Sequence, residues 1–94
     1  MIGLDTVLRR RPDVRYRHIP PETVLIRQAG PEVMVLNGIA GRLLDLVDGH
    51  ISIAGLIAAL AAEYDAPRET VERDVLEFAA ELLAAEVVSE AEPR

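Results

Sequence analysis

The chain has 94 residues and a formal net charge of −6; half of its residues are hydrophobic, but only 3% are aromatic. This length predicts one domain, and the scarcity of aromatic side chains leaves little for the base stacking on which single-strand nucleic-acid binding depends. The lack of cysteine excludes disulfides, thiolate metal sites and thiol nucleophiles. No apolar run approaches the roughly 20 residues of a membrane span, and the N-terminus lacks a signal-peptide pattern, so we expect a soluble, cytoplasmic protein.

The two ends of the chain carry no pattern that predicts packing. Residues 1–12 show no apolar periodicity and include Arg9, Arg10 and Arg11, which predicts a flexible N-terminal arm. Residues 90–94 are mostly polar and are predicted to form a disordered tail. The folded domain is therefore expected to span residues 13–89.

Three segments near the N-terminus predict strands, because they are rich in β-branched and other apolar residues. They are residues 14–19, 23–28 and 32–36. Pro20-Pro21 separates the first two segments, and Ala29-Gly30-Pro31 separates the second from the third. Connections this short favour an antiparallel meander.

After the third strand the apolar period changes from 2 to 3.6, which predicts helices. Asn37 and Ser52 are candidate N-caps of the first two helices, and Pro67 follows the end of the second. A third helix is predicted over residues 69–85, with Val87-Val88 after it as a possible short strand. The order is thus three strands followed by three helices, in the α+β class.

The residue types that carry catalysis or bind metals are sparse and scattered. His18 and His50 lie in different segments without metal-ligand spacing, and no glycine-rich phosphate loop is present. No serine or threonine is paired with a base by spacing. We therefore expect no catalytic residue, no metal and no cofactor, and hence a protein that is not an enzyme.

From the third strand onward, the chain resembles the PqqD-like proteins, peptide chaperones first met in pyrroloquinoline quinone biosynthesis. The residues that carry the resemblance are Val35-Leu36-Asn37, Ala40, Leu43-Leu44-Asp45-Leu46-Val47-Asp48-Gly49, Ile53, Leu56-Ile57, Tyr64-Asp65, Asp74-Val75, Phe78 and Leu82. They cover roughly residues 24–88. One departure is Glu86, where the family usually has glycine, and we expect a less sharply turned helix end there.

The resemblance implies a winged helix-turn-helix-like fold of three antiparallel strands followed by three helices. It also implies a RiPP recognition element, a non-catalytic module that binds the leader segment of a ribosomally synthesised, post-translationally modified precursor peptide. Such modules serve natural product biosynthesis by presenting the peptide to a modifying enzyme, such as a radical-SAM protein or a lasso-type leader protease.

The third strand is short, apolar and a candidate sheet edge, so an extended leader could add to it as a further strand. On this hypothesis one wall of the peptide-binding site is the third strand and the other is the third helix. The candidate residues are Val33, Met34, Val35 and Leu36 on the strand, and Asp74, Glu77, Phe78 and Glu81 on the helix. We expect only one of the amides of Val33 and Val35 to face the leader. Core packing remains the alternative role for Phe78 and Met34.

The main alternative function is a DNA-binding winged-helix regulator that uses the third helix for recognition. That helix carries Glu69, Glu72, Asp74, Glu77 and Glu81. Phosphate binding requires a basic face, so this acidic helix argues against DNA. We therefore expect neither a nucleic acid nor a membrane as partner. The excess of carboxylates at the C-terminal end is explained by a solvated helix face, and attraction of a basic ligand is the alternative.

Overall fold

The computed structural model describes residues 2–27 and 33–91. The elements, in chain order, are β1 (Leu8–Arg10), β2 (Val14–Ile19), β3 (Glu22–Arg27), β4 (Val33–Leu36), α1 (Gly38–Leu46), α2 (Ile53–Tyr64), α3 (Arg68–Ala84) and β5 (Val88–Glu90). Strands β2, β3 and β4 form an antiparallel sheet in that order. This confirms the α+β fold with three antiparallel strands followed by three helices; the predicted turn at Ala29-Gly30-Pro31 lies outside the described residues.

Both predicted N-caps are present at the starts of their helices. The Asn37 side chain accepts a hydrogen bond from the Ala40 amide at 2.9 Å. The Ser52 hydroxyl accepts one from the Gly55 amide at 3.2 Å. Each bond satisfies an amide that has no partner within its own helix, so these short polar residues determine where α1 and α2 begin.

The end of α3 turns sharply although residue 86 is not glycine. Glu86 adopts φ +61°, in the left-handed region that favours glycine. Its amide donates to the Leu83 carbonyl, and the Val87 amide donates to the Leu82 carbonyl, at 3.1 and 2.9 Å. This is the hydrogen-bond pattern of a Schellman motif. The expectation of a less sharp helix end is therefore wrong: the turn is kept, at a conformational cost of roughly 1–2 kcal/mol.

The predicted flexible arm is wrong for its last residues. Leu8 is 1% exposed and belongs to the core, and β1 pairs with β5 in an antiparallel two-stranded sheet. The Ile53 amide also donates to the Thr6 carbonyl at 2.8 Å. Glu90 belongs to β5, so the predicted tail begins too early; residues 92–94 lie outside the described part. A single buried leucine among arginines leaves no periodicity to detect.

The core lies between the helices and one face of the β2-β3-β4 sheet. Its buried members are aliphatic: Leu8, Val14, Leu25, Leu43, Leu44, Val47, Ile53, Leu56, Ile57, Leu60, Val71, Val75, Ala79, Leu82, Val87 and Val88. Helix α1 packs directly on the side of the sheet that Leu25 faces, and α2 and α3 contribute to the same core. In the part of the chain that the structure describes, no helix is both long and apolar enough to cross a bilayer.

Candidate functional site

Strand β4 is an edge of the three-stranded sheet, as predicted. It pairs with β3 on one side, from Val33 opposite Ile26 to Leu36 opposite Thr23. Within residues 2–27 and 33–91, no strand pairs with its other side. An edge of this kind presents unpaired backbone donors and acceptors that a further strand can satisfy.

The β2–β3 hairpin determines which backbone groups face that edge. Ile19 pairs with Glu22 across a two-residue loop. Opposite residues in an antiparallel ladder either exchange backbone hydrogen bonds or do not. Ile19 and Glu22 must exchange them, because a non-bonded pair here would require a hydrogen bond between the two loop residues themselves. Hydrogen-bonded pairs alternate with non-bonded pairs along an antiparallel ladder. Glu22 therefore directs its backbone groups to β2, whereas Thr23 and Leu25 direct theirs to β4.

The far end of the hairpin agrees with this alternation. Val14 lies opposite Arg27 in a pair that the alternation makes non-bonded. Its amide should then point away from β3. It does so, since the Val14 amide donates to the Arg11 carbonyl at 3.1 Å.

The same alternation continues into β4. Leu36 and Met34 lie opposite Thr23 and Leu25, so they hydrogen-bond to β3. Val33 and Val35 consequently direct both their N–H and their C=O groups to the free edge. The expectation that only one of these two amides faces an added strand is wrong, because residues two apart in a strand point their backbone groups the same way.

The four β4 residues thus divide into two kinds. Met34 and Leu36 are half-buried and pack against the core on the helix side of the sheet. Val33 and Val35 are 60% and 58% exposed, and their side chains lie on the opposite side of the sheet. Val33 and Val35 therefore provide the unpaired backbone groups of the edge, whereas Met34 and Leu36 provide apolar side chains at the margin of the core.

The predicted helix residues share one flank of α3. Asp74, Glu77, Phe78 and Glu81 follow the i, i+3, i+4, i+7 spacing of neighbours on a helix surface. They lie beside the buried stripe of Val71, Val75, Ala79 and Leu82. Phe78 is half-buried against the same core as Met34 and Leu36, whereas Glu77 and Glu81 are exposed. The structure thus gives this flank an apolar inner margin and an acidic outer one.

Sequence reasoning missed a polar network that joins β2 to α1 around Asp45. The Tyr16 hydroxyl donates to Asp45 Oδ1 at 2.7 Å, and His18 Nε2 lies 2.9 Å from Asp45 Oδ2. Arg42 approaches the same carboxylate at 3.5 Å and also binds Glu63 at 2.8 Å. Tyr16 and His18 lie 29 and 27 positions from Asp45 along the chain, so no local spacing indicated these contacts. An open cavity of about 260 Å³ adjoins His18, Arg42 and Asp45.

The network changes the acidity of two of its members. Partial burial opposes ionisation of Asp45, but the hydrogen bonds from Tyr16, His18 and Arg42 outweigh it and hold the pKa of the carboxyl below its ordinary value. Burial and the hydrogen bond to Asp45 raise the pKa of Tyr16. Among the described residues, no group of three or more His, Cys, Asp or Glu is placed to hold a metal. The network is best explained as a structural link between sheet and helix.

Fold and site together define a class: small α+β domains in which a free strand edge accompanies a helix with an apolar and acidic flank. The chain belongs to the PqqD family, since residues 22–88 match the family model described as coenzyme PQQ synthesis protein D. It is 37% identical over 82 residues to the PqqA binding protein of Gluconobacter oxydans (strain 621H), covering 87% of this chain and 85% of that protein.

Two solved structures share the fold. One is TbiB1 in complex with the TbiA(beta) leader peptide, with a TM-score of 0.75 and 27% identity, covering 86% of this chain and 94% of that one. The other is lasso peptide synthetase B1 complexed with the leader peptide, with a TM-score of 0.74 and 23% identity, covering 87% and 96%. The second likeness bears on the fold alone.

Proposed function

We propose that this protein binds the leader segment of a ribosomally synthesised precursor peptide by adding it as a strand to β4, and presents it to a modifying enzyme. The observation that carries the proposal is the outward direction of the Val33 and Val35 backbone groups. The family membership, the PqqA binding protein and the leader-peptide complex of TbiB1 support it.

The geometry suggests how a leader would be held. Main-chain bonds to Val33 and Val35 supply affinity that is independent of sequence. Alternate leader side chains then fall on the helix side of the sheet, where Met34, Leu36 and Phe78 offer half-buried apolar surface. Methionine adapts to different partners because its chain is flexible and polarisable. The acidic residues on the α3 flank favour basic residues in the leader.

The protein's own role in this proposal is non-catalytic. Chemistry on the peptide is left to a partner, such as a radical-SAM enzyme or a lasso-type leader protease, and we propose a cytoplasmic location because ribosomal precursors are made there. A DNA-binding role is disfavoured by the exposed carboxylates of Glu77 and Glu81 on α3, which would repel phosphate.

The test substitutes proline at two positions of β4: one whose amide faces the free edge and one whose amide bonds to β3. Val35→Pro removes a donor from the free edge but leaves the bonds to β3 intact, so it should weaken leader binding about tenfold or more, about 1.4 kcal/mol. Val35→Thr keeps the amide and should bind normally. Met34→Pro removes a bond to β3 and should destabilise the sheet itself.

Binding is measured by titrating two synthetic peptides, PqqA and the TbiA(beta) leader peptide, with circular dichroism to monitor folding. The proposal fails if Val35→Pro stays folded and binds the leader with wild-type affinity. In that case the leader does not occupy the free edge of β4.

A further inference from the structure

We propose that the side of the β2-β3-β4 sheet away from the helices is the docking surface for the modifying enzyme, and that the enzyme meets it with apolar side chains and carboxylates. This inference rests on the proposed function. We call this surface the outer face; it comprises Arg15, Arg17, Ile19, Glu22, Val24, Ile26, Val33 and Val35.

The register of the sheet assigns these residues to the outer face. His18 and Thr23 are directly paired and both point to the helices, since His18 bonds to Asp45 of α1 and Thr23 lies against Gly41. Side chains alternate between the two faces of a sheet. The residues on either side of these two in β2 and β3 therefore point away from the helices, and so do their partners in β4.

Exposed apolar side chains are concentrated on this face. Six large hydrophobic residues are exposed in the described part of the chain, and four of them lie here: Ile19 at 55%, Ile26 at 46%, Val33 at 60% and Val35 at 58%. Val24, half-buried, lies among them. Single exposed apolar residues are ordinary, but a contiguous group marks a surface that another molecule covers.

The charges beside this patch indicate what kind of molecule covers it. Arg15 and Arg17 are exposed on the same face, whereas the one carboxylate that the described residues place there, Glu22, lies at the hairpin end. The Arg17 side chain makes no hydrogen bond or ion pair with any described residue, and among those residues the Arg15 side chain donates only to the Pro12 and Val14 carbonyls. In a chain of net charge −6, this locally basic border favours an acidic partner.

The same charges argue against a second copy of this chain as the occupant. A twofold pairing of the outer face with itself would bring the arginines of both copies to one interface. Two cations are also too few for strong binding to nucleic acid, whose affinity scales with the phosphates neutralised. The occupant that fits is a different protein with carboxylates around an apolar centre.

The position of the outer face explains how a bound leader would be presented. An added strand on β4 places every second side chain on this same face, next to Val33 and Val35. The docking surface of the loaded protein therefore includes part of the leader. We expect the enzyme to bind the loaded protein more tightly than the free protein, by about fivefold or more, in the range typical of coupled sites.

The experiment measures two affinities for each variant: for the precursor peptide, and for the purified radical-SAM enzyme or leader protease that acts on that peptide. Ile26→Asp and Arg17→Glu alter the outer face without touching the free edge, because the Ile26 amide faces β2. Leu4→Asp is the matched control for Ile26, since both residues are 46% exposed. Arg68→Glu is the control for Arg17.

The expected result is that both outer-face variants weaken enzyme binding about tenfold, an effect typical of a contact at the centre of an interface, with leader affinity unchanged. The controls should match the wild type. Circular dichroism confirms folding, and Arg17→Glu, at an exposed position, keeps the test valid if Ile26→Asp misfolds.

Unchanged enzyme binding would overturn the inference, as would an equal loss of leader binding. So would a wild-type dimer that Ile26→Asp converts to a monomer. If the wild type binds no leader, the proposed function fails, and enzyme binding to the free protein still tests this face.

Discussion

Gly41 of α1 lies against Thr23 of β3 with no room for a methyl group between them. A Cβ atom at position 41 would fall 2.8 Å from the Cβ of Thr23 and 3.4 Å from Cε1 of His18. Thr23 is buried, and its hydroxyl hydrogen-bonds to His18 Nδ1 at 2.7 Å, so it cannot move aside without breaking that bond. This contact determines how closely α1 approaches the sheet.

Gly41→Ala should therefore destabilise the protein. Alanine gains roughly 1 kcal/mol of helix propensity, but overpacking costs about 1–3 kcal/mol and forces α1 away from β3. Gly38→Ala is the control in the same helix, because its nearest neighbour is the Pro21 carbonyl oxygen at 3.7 Å. Urea unfolding should show a loss for the first variant and none for the second. A Gly41→Ala variant as stable as Gly38→Ala would contradict the close packing.

Leu8→Ala should cost about 2–5 kcal/mol, the range for deleting a buried leucine side chain. Leu8 is 1% exposed and ties β1 to the core. Leu4→Ala, at a position that is 46% exposed, should change the free energy of unfolding by less than about 0.5 kcal/mol. Thermal and urea unfolding both measure the difference. Equal stability of the two variants would show that the N-terminal segment does not contribute to the core.

Glu86→Gly should raise the melting temperature by several degrees. Glycine relieves the left-handed strain at φ +61°, a gain of about 1 kcal/mol. The substitution also removes the 3.5 Å ion pair with Arg27. Glu86 is 63% exposed but the Arg27 side chain is only 15% exposed, so the loss of this pair offsets part of the gain. Glu86→Gln separates the two effects, since it loses the charge and keeps the strain. If glycine and glutamine give the same melting temperature, the backbone conformation contributes nothing.

Asp45→Asn should lower the stability at neutral pH and change its dependence on acid. The carboxyl pKa is lowered in the folded protein, so its stabilisation is present above the unfolded value of about 3.9 and is lost as the pH falls through the folded value. We expect a loss of about 1 kcal/mol at pH 7 for these partly exposed bonds. The difference from the wild type should shrink between pH 5 and pH 2 in chemical unfolding. A constant difference over this range would mean that the carboxylate is not the stabilising form.

Glu77→Arg should weaken leader binding by roughly 1 kcal/mol, if a basic leader residue meets this flank of α3. The loss should decrease at high salt because the contact is exposed. Glu72→Arg, on the other side of the buried stripe, is the control on the same helix; circular dichroism checks that this half-buried position tolerates the change. Peptide titrations at two salt concentrations compare them. Equal effects of the two substitutions would place the leader away from the Glu77 flank.

Local signals in the sequence were sufficient for most of the secondary structure. Asn37 and Ser52 act on amides three residues ahead of them, so their effect could be predicted from neighbours alone. The change of apolar period after Leu36 separated strands from helices for the same reason. The edge position of β4 and the shared flank of Asp74, Glu77, Phe78 and Glu81 also followed from order and spacing.

Interactions between distant segments decided the rest. Leu8 is buried because β1 pairs with β5 from the other end of the chain, and no pattern within residues 1–12 records that partner. The direction of the Val33 and Val35 amides depends on how Ile19 and Glu22 close a hairpin two strands away. The Asp45 network likewise required α1 to rest on the sheet at Gly41. By itself the sequence determined the elements and their order, because caps and periodicity act locally; only the tertiary structure decided which backbone groups and faces remain open to a partner, because pairing and packing act across the whole chain.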